Sequence, residues 1–300
     1  MTPSAPASNE ISGLGVWSWL DALSAREACE FANRLEGWGY SALWIPEAVG
    51  RDPFALLGHL AGATEKLVLA TGIAGIYSRD PMTMRAAQQT VGEMAPGRFI
   101  LGLGVSHAPR VTAIRGHEYR PPVAAMREYL EAMEKATYVG PAPSVEVPIL
   151  LAALRPKMLG LAAERARGAH PYFVTPDHTR DARKILGPDA LLCPEQKVLL
   201  ESDPETARRV ARAAMGIYLG LPNYRNSLLT QGFDESDLNN GGSDRLVDGI
   251  VAWGDEQAIA NRIQAHRDAG ANHVCIQPLR PDGGPGPDER VLEALAPVSR

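Results

Sequence analysis

His107 is the side chain of this sequence best suited to moving a proton. It closes Gly104-Val105-Ser106-His107, directly after the apolar run 98–104, and an imidazole with a pKa of about 6.5 gives or takes a proton near neutrality. Its plainer role is a loop histidine hydrogen-bonded to main chain. Ser106 offers a hydroxyl to a ligand, but the chain contains no G-x-S-x-G, so a serine-hydrolase elbow is missing. Glu47 follows another apolar run in Ile45-Pro46-Glu47. A carboxylate there either tunes a polar ring or a neighbouring imidazole, or simply bonds backbone amides. Trp44, within that run, reads equally as barrel core and as a cofactor wall.

An anion is easiest to place at Thr175-Pro176, where a helix begins. Its unpaired amides, with the hydroxyls of Thr175 and Thr179 and a protonated His178, could receive a phosphate; the competing reading is simple N-capping by Thr175. Arg79 and Arg280 are further anion candidates or ordinary surface arginines. Of the seven histidines, His59 and His266 fall in helical stretches, His117 lies in a loop and His273 begins a strand. His107, His170 and His178 can meet only through the fold. With no H-x-H after the first strand and no carboxylates at ligand spacing, no metal site is expected. Cys29, Cys193 and Cys275 lack paired C-x-x-C spacing and read as reduced thiols in apolar surroundings.

These groups must be carried by a scaffold, and the pattern of the chain supplies one. Eight apolar strand candidates, at 12–17, 40–45, 66–73, 98–104, 147–153, 169–174, 190–199 and 272–277, mostly alternate with amphipathic helices. The helices are expected near 24–36, 53–62, 81–94, 122–136, 156–166, 176–186, 204–219 and 256–268. Asp52-Pro53 and Asp80-Pro81 are a cap followed by a first-turn proline. Such alternation favours a parallel α/β sheet, and eight units over 300 residues fit a closed (β/α)8 TIM barrel. A dinucleotide-binding sheet is disfavoured, because Gly102-Leu103-Gly104 has only two of the three glycines and opens a loop. Residues 11–300 read as one domain after a tail at 1–10, with long loops at 105–121 and an insertion at about 221–250. Loops of that length tend to be lids or binding loops.

Composition narrows the function. A net charge of −5 leaves no basic stripe for nucleic acid. No apolar run is long enough for a membrane span and the N-terminus lacks a signal-peptide pattern, so the expectation is a cytoplasmic protein without a membrane partner.

Taken together, SALWIPEAVGRDPFALL, LVLATGIAGIYSRDPMTMRAA, GRFILGLGVSHAPRV, AHPYFVTPDHT and NHVCIQPL resemble the bacterial luciferase-like superfamily of flavin- or deazaflavin-dependent oxidoreductases. The closer likeness is to its actinobacterial branch of F420-dependent oxidoreductases. The resemblance implies a barrel with a late insertion and a ring cofactor at its C-terminal mouth. It also implies a cis peptide, here Gly72-Ile73, placing Ile73, Ala74 and Gly75 near the ring. The family's acidic residue after the second strand matches Glu47, its ring-facing histidine becomes Ala48, and the acidic proton donor of sugar-phosphate-oxidising members falls at His107. Glucose-6-phosphate oxidation is therefore disfavoured. Phosphate contacts fall on Thr175 and Thr179, with Ser106 and His107 as further candidates, and a ring or its tail would also meet Trp44, His170 and His178.

The expected activity is hydride transfer between C5 of coenzyme F420 and a small organic substrate, with His107 exchanging the substrate proton and Glu47 setting polarity. The alternative is an FMN-dependent monooxygenase using reduced flavin and oxygen, with a flavin or F420 reductase as supplier. A metal-dependent hydrolase and a non-catalytic small-molecule-binding barrel are the remaining readings. The resemblance implies a homodimer, with the apolar helices 53–62 and 81–94 either at its interface or buried within the one chain.

Overall fold

The computed structural model describes residues 11–298, so the expected tail at 1–10 lies outside the described residues. The chain alternates strand and helix: β1 (Gly13–Trp17), α1 (Ala25–Gly37), β2 (Ala42–Ile45), α2 (Pro53–Ala61), β3 (Val68–Thr71), β4 (Ala74–Gly75), α3 (Pro81–Met94) and β5 (Phe99–Gly104). It continues through α4 (Pro122–Lys135), β6 (Ile149–Leu151), α5 (Pro156–Arg165), β7 (Gly168–Ala169), α6 (Pro176–Leu186), β8 (Leu191–Leu192) and β9 (Glu195–Leu200). The last elements are α7 (Pro204–Leu219), α8 (Pro222–Thr230), α9 (Asp244–Ile250), β10 (Val251–Gly254), α10 (Glu256–Asp268), β11 (His273–Pro278) and α11 (Glu289–Ala294).

All strand pairs are parallel, in the order β10-β9-β11-β1-β2-β3-β5-β6-β7-β8, with β4 on β5. The ring closes through 191–200, because β8 and β9 are halves of one extended segment around Cys193-Pro194. On one side Cys193 N–H donates to Ala169 O and Glu195 N–H to Pro171 O, each at 2.9 Å; on the other Asn272 N–H reaches Leu192 O at 2.9 Å and Cys275 N–H reaches Pro194 O at 3.0 Å. The expected (β/α)8 barrel is thus present.

Local chemistry explains the boundaries. Asp52 and Asp80 cap α2 and α3, the Asp80 carboxylate accepting from the amides of Met82 and Thr83, and each is followed by proline at the first helical position. Ser24 and Glu27 form a reciprocal capping box on α1. Phe31, Leu35, Leu43, Leu57 and Leu69 are among the fully buried side chains joining helices to barrel. Elements the sequence reading did not resolve include the helices α8 and α9 and the strand β10, which lies beside β9 in register Val251 with Lys197. The 221–250 insertion has a core of its own, in which Tyr224, Leu228, Phe233, Leu246 and Val247 pack with Val210 and Met215 of α7. All three cysteines are free, Cys193 and Cys275 fully buried and Cys29 partly exposed. Among the described residues no helix is long and apolar enough to cross a membrane.

Candidate active site

A cavity of about 370 Å3 lies where the C-terminal ends of the strands meet the first turns of the insertion. That size suits a small-molecule site, as does its largely apolar and aromatic lining. Trp17 and Trp19 meet edge to face with centroids 5.3 Å apart, and Tyr172 lies 5.1 Å from Trp17. The Gly72-Ile73 peptide is cis, and Trp17 Nε1 donates to Gly72 O at 2.7 Å. Ile73 reaches the cavity because its neighbours have no side chains: a Cβ on Gly104 would stand 2.5 Å from Ile73 Cδ1, and one on Gly102 2.0 Å from Thr71 O. The glycine pair of the sequence thus serves close strand packing.

His107 lines the cavity, and its Nδ1 lies 3.2 Å from Asn223 Oδ1. An amide oxygen only accepts, so Nδ1 carries the proton and Nε2 keeps its lone pair. Burial lowers the His107 pKa, the charge of Arg110 lowers it further, and the bond to Asn223 opposes both. Arg110 opens a single π-helical turn, Arg110–Ile114, inside the loop that the sequence left irregular. It also lines the cavity, and its guanidinium has no hydrogen-bond or ion-pair partner among the described residues.

His170 is 1% exposed and lines the same cavity. Its Nδ1 donates to Cys193 O at 2.7 Å, its ring stacks on Trp44 at 4.5 Å, and its Nε2 is buried with no hydrogen-bond partner among the described residues. Burial pushes its pKa down to about 4 despite the bond to Cys193, so the imidazole is neutral at physiological pH.

A scan of family models matches residues 10–273 to one described as luciferase-like monooxygenase. The chain belongs to that family. Among curated relatives of this luciferase-like chain, a Mycobacterium tuberculosis protein named "Putative coenzyme F420-dependent oxidoreductase Rv3520c" is 24% identical, covering 88% of this chain and 93% of the relative. Among solved structures, the coenzyme F420 dependent tetrahydromethanopterin reductase from Methanopyrus kandleri superposes with a TM-score of 0.73 at 17% identity, covering 95% of this chain and 97% of that one. The oxygenating constituent of 3,6-diketocamphane monooxygenase from Pseudomonas putida, solved with FMN, gives 0.65 at 16% identity over 89% and 92% of the two chains. Family membership makes this luciferase-like chain an enzyme.

Of the expected site residues, Glu47, Gly72, Ile73, Ser106, His107 and His170 line the cavity. The remaining candidates lie off that lining. Trp44 is fully buried behind His170, its Nε1 donating to His273 Nε2 at 3.1 Å, and acts as core. Ala74 and Gly75 do not reach the lining. Glu47 is committed to structure, since Oε2 accepts from Gly75 N–H at 2.8 Å and Oε1 from Arg79 Nη1 at 2.7 Å. Arg79 also pairs with Asp52, and Arg280 pairs with Asp282, so neither arginine is free for an anion. Burial works against the Arg79 charge, but its two carboxylates hold its pKa above the ordinary value.

The anion site expected at α6 is closed by the protein itself. Thr175 N–H and Oγ1–H both donate to Gln231 Oε1, at 3.1 and 3.0 Å, while Thr175 Oγ1 accepts from His178 N–H. Thr179 is buried with Oγ1 2.8 Å from His266 Nδ1, and His178 Nε2 donates to Leu154 O at 2.7 Å. None of the three lines the cavity. The sequence reading took the insertion as a lid or binding loop but named none of its roof residues: Tyr218 lies in the last turn of α7, and Leu221, Asn223 and Tyr224 come from the insertion. The available signal was the run of aromatic and amide side chains in Tyr218-Leu219-Gly220-Leu221-Pro222-Asn223-Tyr224, which is unusual for a plain connection.

Proposed function

We propose that this chain is an F420-dependent oxidoreductase moving a hydride between the deazaflavin and a small organic substrate. The observation that carries the reading is the cavity itself: an indole- and phenol-walled space at the barrel mouth, backed by Ile73 and bearing two neutral imidazoles, with no cluster of three metal-ligating side chains among the described residues. Its residues fit a flat ring. Gly72, Ile73 and Val105 would hold one side, and Arg110 is the cation left for an anionic tail. When bound, the deazaflavin supplies a C5 that takes up or gives back a hydride.

The protein's own contributions follow from the geometry. Asn223 fixes the His107 tautomer, so that Nε2 takes the substrate hydroxyl proton during oxidation and returns it during reduction. Glu47 ties β4 to Arg79 and so helps hold Ile73 in place. Ile217, Tyr218, Leu221 and Tyr224 line the cavity on its insertion side, where they would reduce the access of water to a bound ring.

A second reading, an FMN-dependent monooxygenase fed by a partner reductase, draws support from the description of the family model and from the fold shared with an FMN-bound enzyme. Separate fluorescence titrations with F420 and FMN divide the two. Micromolar F420 binding is expected, and FMN binding without F420 binding would overturn the proposal in favour of the second reading.

A further inference from the structure

A second cavity, of about 470 Å3, opens beside the first where β1 and β11 end. Trp19 lines both, so one indole is their shared wall. The floor of the second cavity comes from Val210 and Ala214 of α7 and from Leu279 after β11. These side chains are small or apolar, and a hydrocarbon body laid on them would take apolar surface out of water.

The polar groups around that floor are unevenly satisfied. Gln277 lines the second cavity and not the first, and it is only 9% exposed. Its amide is oriented from inside the barrel. Lys197 Nζ has contacts at 3.2 and 3.4 Å with the two Glu195 oxygens and at 3.0 Å with one side-chain atom of Gln277, which match the three N–H groups of an ammonium. An ammonium only donates, so that Gln277 atom is the oxygen. The Tyr172 hydroxyl donates to the same oxygen at 2.8 Å. The NH2 group therefore occupies the other branch of the amide, and its two protons have no acceptor among the described residues. Arg209 of α7 adds a positive charge to the same lining. Its guanidinium makes no hydrogen bond or ion pair among the described residues and interacts with Asp203 only at longer range. The carboxylates of the lining are already engaged, Asp21 Oδ1 accepting from Arg51 N–H at 2.8 Å and Asp282 pairing with Arg280.

An apolar floor, a buried pair of amide protons and an unpaired guanidinium together lack one partner, an acceptor with negative charge. We propose that the second cavity is a binding site for a small carboxylate with an apolar body, one oxygen received by Gln277 Nε2 and the charge faced by Arg209. The site is separate from the ring cavity and does not depend on which ring fills that cavity.

An anionic group can also arrive on the tail of a ring cofactor, so the test separates the sources. Full-length protein carrying 15N at its glutamine side chains is titrated by NMR with hexanoate and with 1-hexanol, before and after addition of F420. The Gln277 signal is identified by its absence from Gln277→Glu protein. Hexanoate is expected to move the Gln277 amide protons downfield and to saturate with a Kd of about 1 mM, in both arms. Hexanol, without the charge, should bind about tenfold more weakly or worse. A shift produced by F420 alone that then blocks hexanoate would give the cavity to the cofactor tail and overturn the separate site. A Gln277 signal unmoved by about 20 mM hexanoate would mean that water satisfies the donors, and would overturn it too. Equal affinity for hexanoate and hexanol would overturn the carboxylate class.

Three variants check the assignment. Gln277→Glu keeps an oxygen for Lys197 and Tyr172 but replaces the donors with a second oxygen, so hexanoate affinity, read from Trp19 fluorescence, should fall about tenfold or more. Arg209→Gln removes the charge and should weaken hexanoate severalfold while leaving hexanol unchanged, an effect that added salt should imitate in the unaltered protein. Ala214→Phe fills the floor without touching Gln277 and should exclude both ligands, which keeps the test open if Gln277→Glu does not fold. Unchanged hexanoate affinity in folded Gln277→Glu or Ala214→Phe protein would place the ligand elsewhere and overturn the site.

Discussion

The loop after β5 and the start of α6 read alike in sequence, yet the structure treats them in opposite ways. Each follows a barrel strand, and each carries a hydroxyl and a histidine: Ser106 with His107 in one, Thr175 with His178 in the other. In the β5 loop His107 keeps a lone pair for the cavity, and the Arg110 guanidinium has no hydrogen-bond or ion-pair partner among the described residues. At α6 most of the same kinds of group are bonded within the protein: Gln231 takes the Thr175 donors, Leu154 O takes the His178 Nε2 proton and His266 pairs with Thr179, while His178 Nδ1 is buried away from the cavity without a hydrogen-bond partner among the described residues. A helix N-terminus is an anion site only while its donors lack protein partners. Here a glutamine 56 residues away in the chain decides the matter.

The largest effects should expose this contrast. His107→Ala is expected to lower kcat for alcohol oxidation by about 10²–10⁴-fold, the usual contribution of a positioned acid–base group, with little change in F420 affinity. Steady-state rates on the secondary alcohol that the unaltered enzyme turns over fastest, together with a fluorescence titration, read both quantities. Loss of less than about threefold would remove His107 from the chemistry and erase the distinction between the loops.

Thr175→Ala should do the reverse. Loss of its capping bond to His178 N–H and of one donor to Gln231 should cost about 1 kcal/mol of stability, read from the urea midpoint at constant slope. F420 affinity should stay within twofold. A tenfold weakening of F420 binding would show that α6 opens to receive the phosphate, and the two loops would then be one site.

How far the sequence discloses such a site depends on the range of the interactions that build it. The barrel was legible because strand runs, Asp-Pro caps and helix spacing are local, and Asp52, Asp80 and Thr175 do cap their helices. Ile73 and the cis peptide before it were legible through the family likeness, with Gly102 and Gly104 supplying the clearance. Glu47 was placed correctly in space, but its role turned on Arg79, 32 residues along, and Trp44 turned on His273, 229 residues along. The roof was hidden for a similar reason. Tyr218 and Tyr224 look like ordinary helical aromatics, and only the packing of α8 on α7 brings them over the barrel mouth.

The smallest effect tests the electrostatics of the open loop. Arg110 is a fixed positive charge whose field disfavours the imidazolium of His107, adding to the effect of burial. Both push the His107 pKa below its ordinary value, so the neutral, proton-accepting form persists to lower pH than it would on a free histidine. For alcohol oxidation, kcat/KM should therefore rise with pH along a limb whose midpoint lies below about 6.5. Arg110→Gln removes the charge, stabilises the imidazolium and moves that limb to higher pH. Added salt screens the same interaction, so the limb of the unaltered enzyme should drift toward that of the variant as ionic strength rises, while the variant's limb stays nearly still. A limb that ignores both the substitution and the salt would mean that a group other than His107 carries the titration, and the β5 loop would lose the feature that separates it from α6.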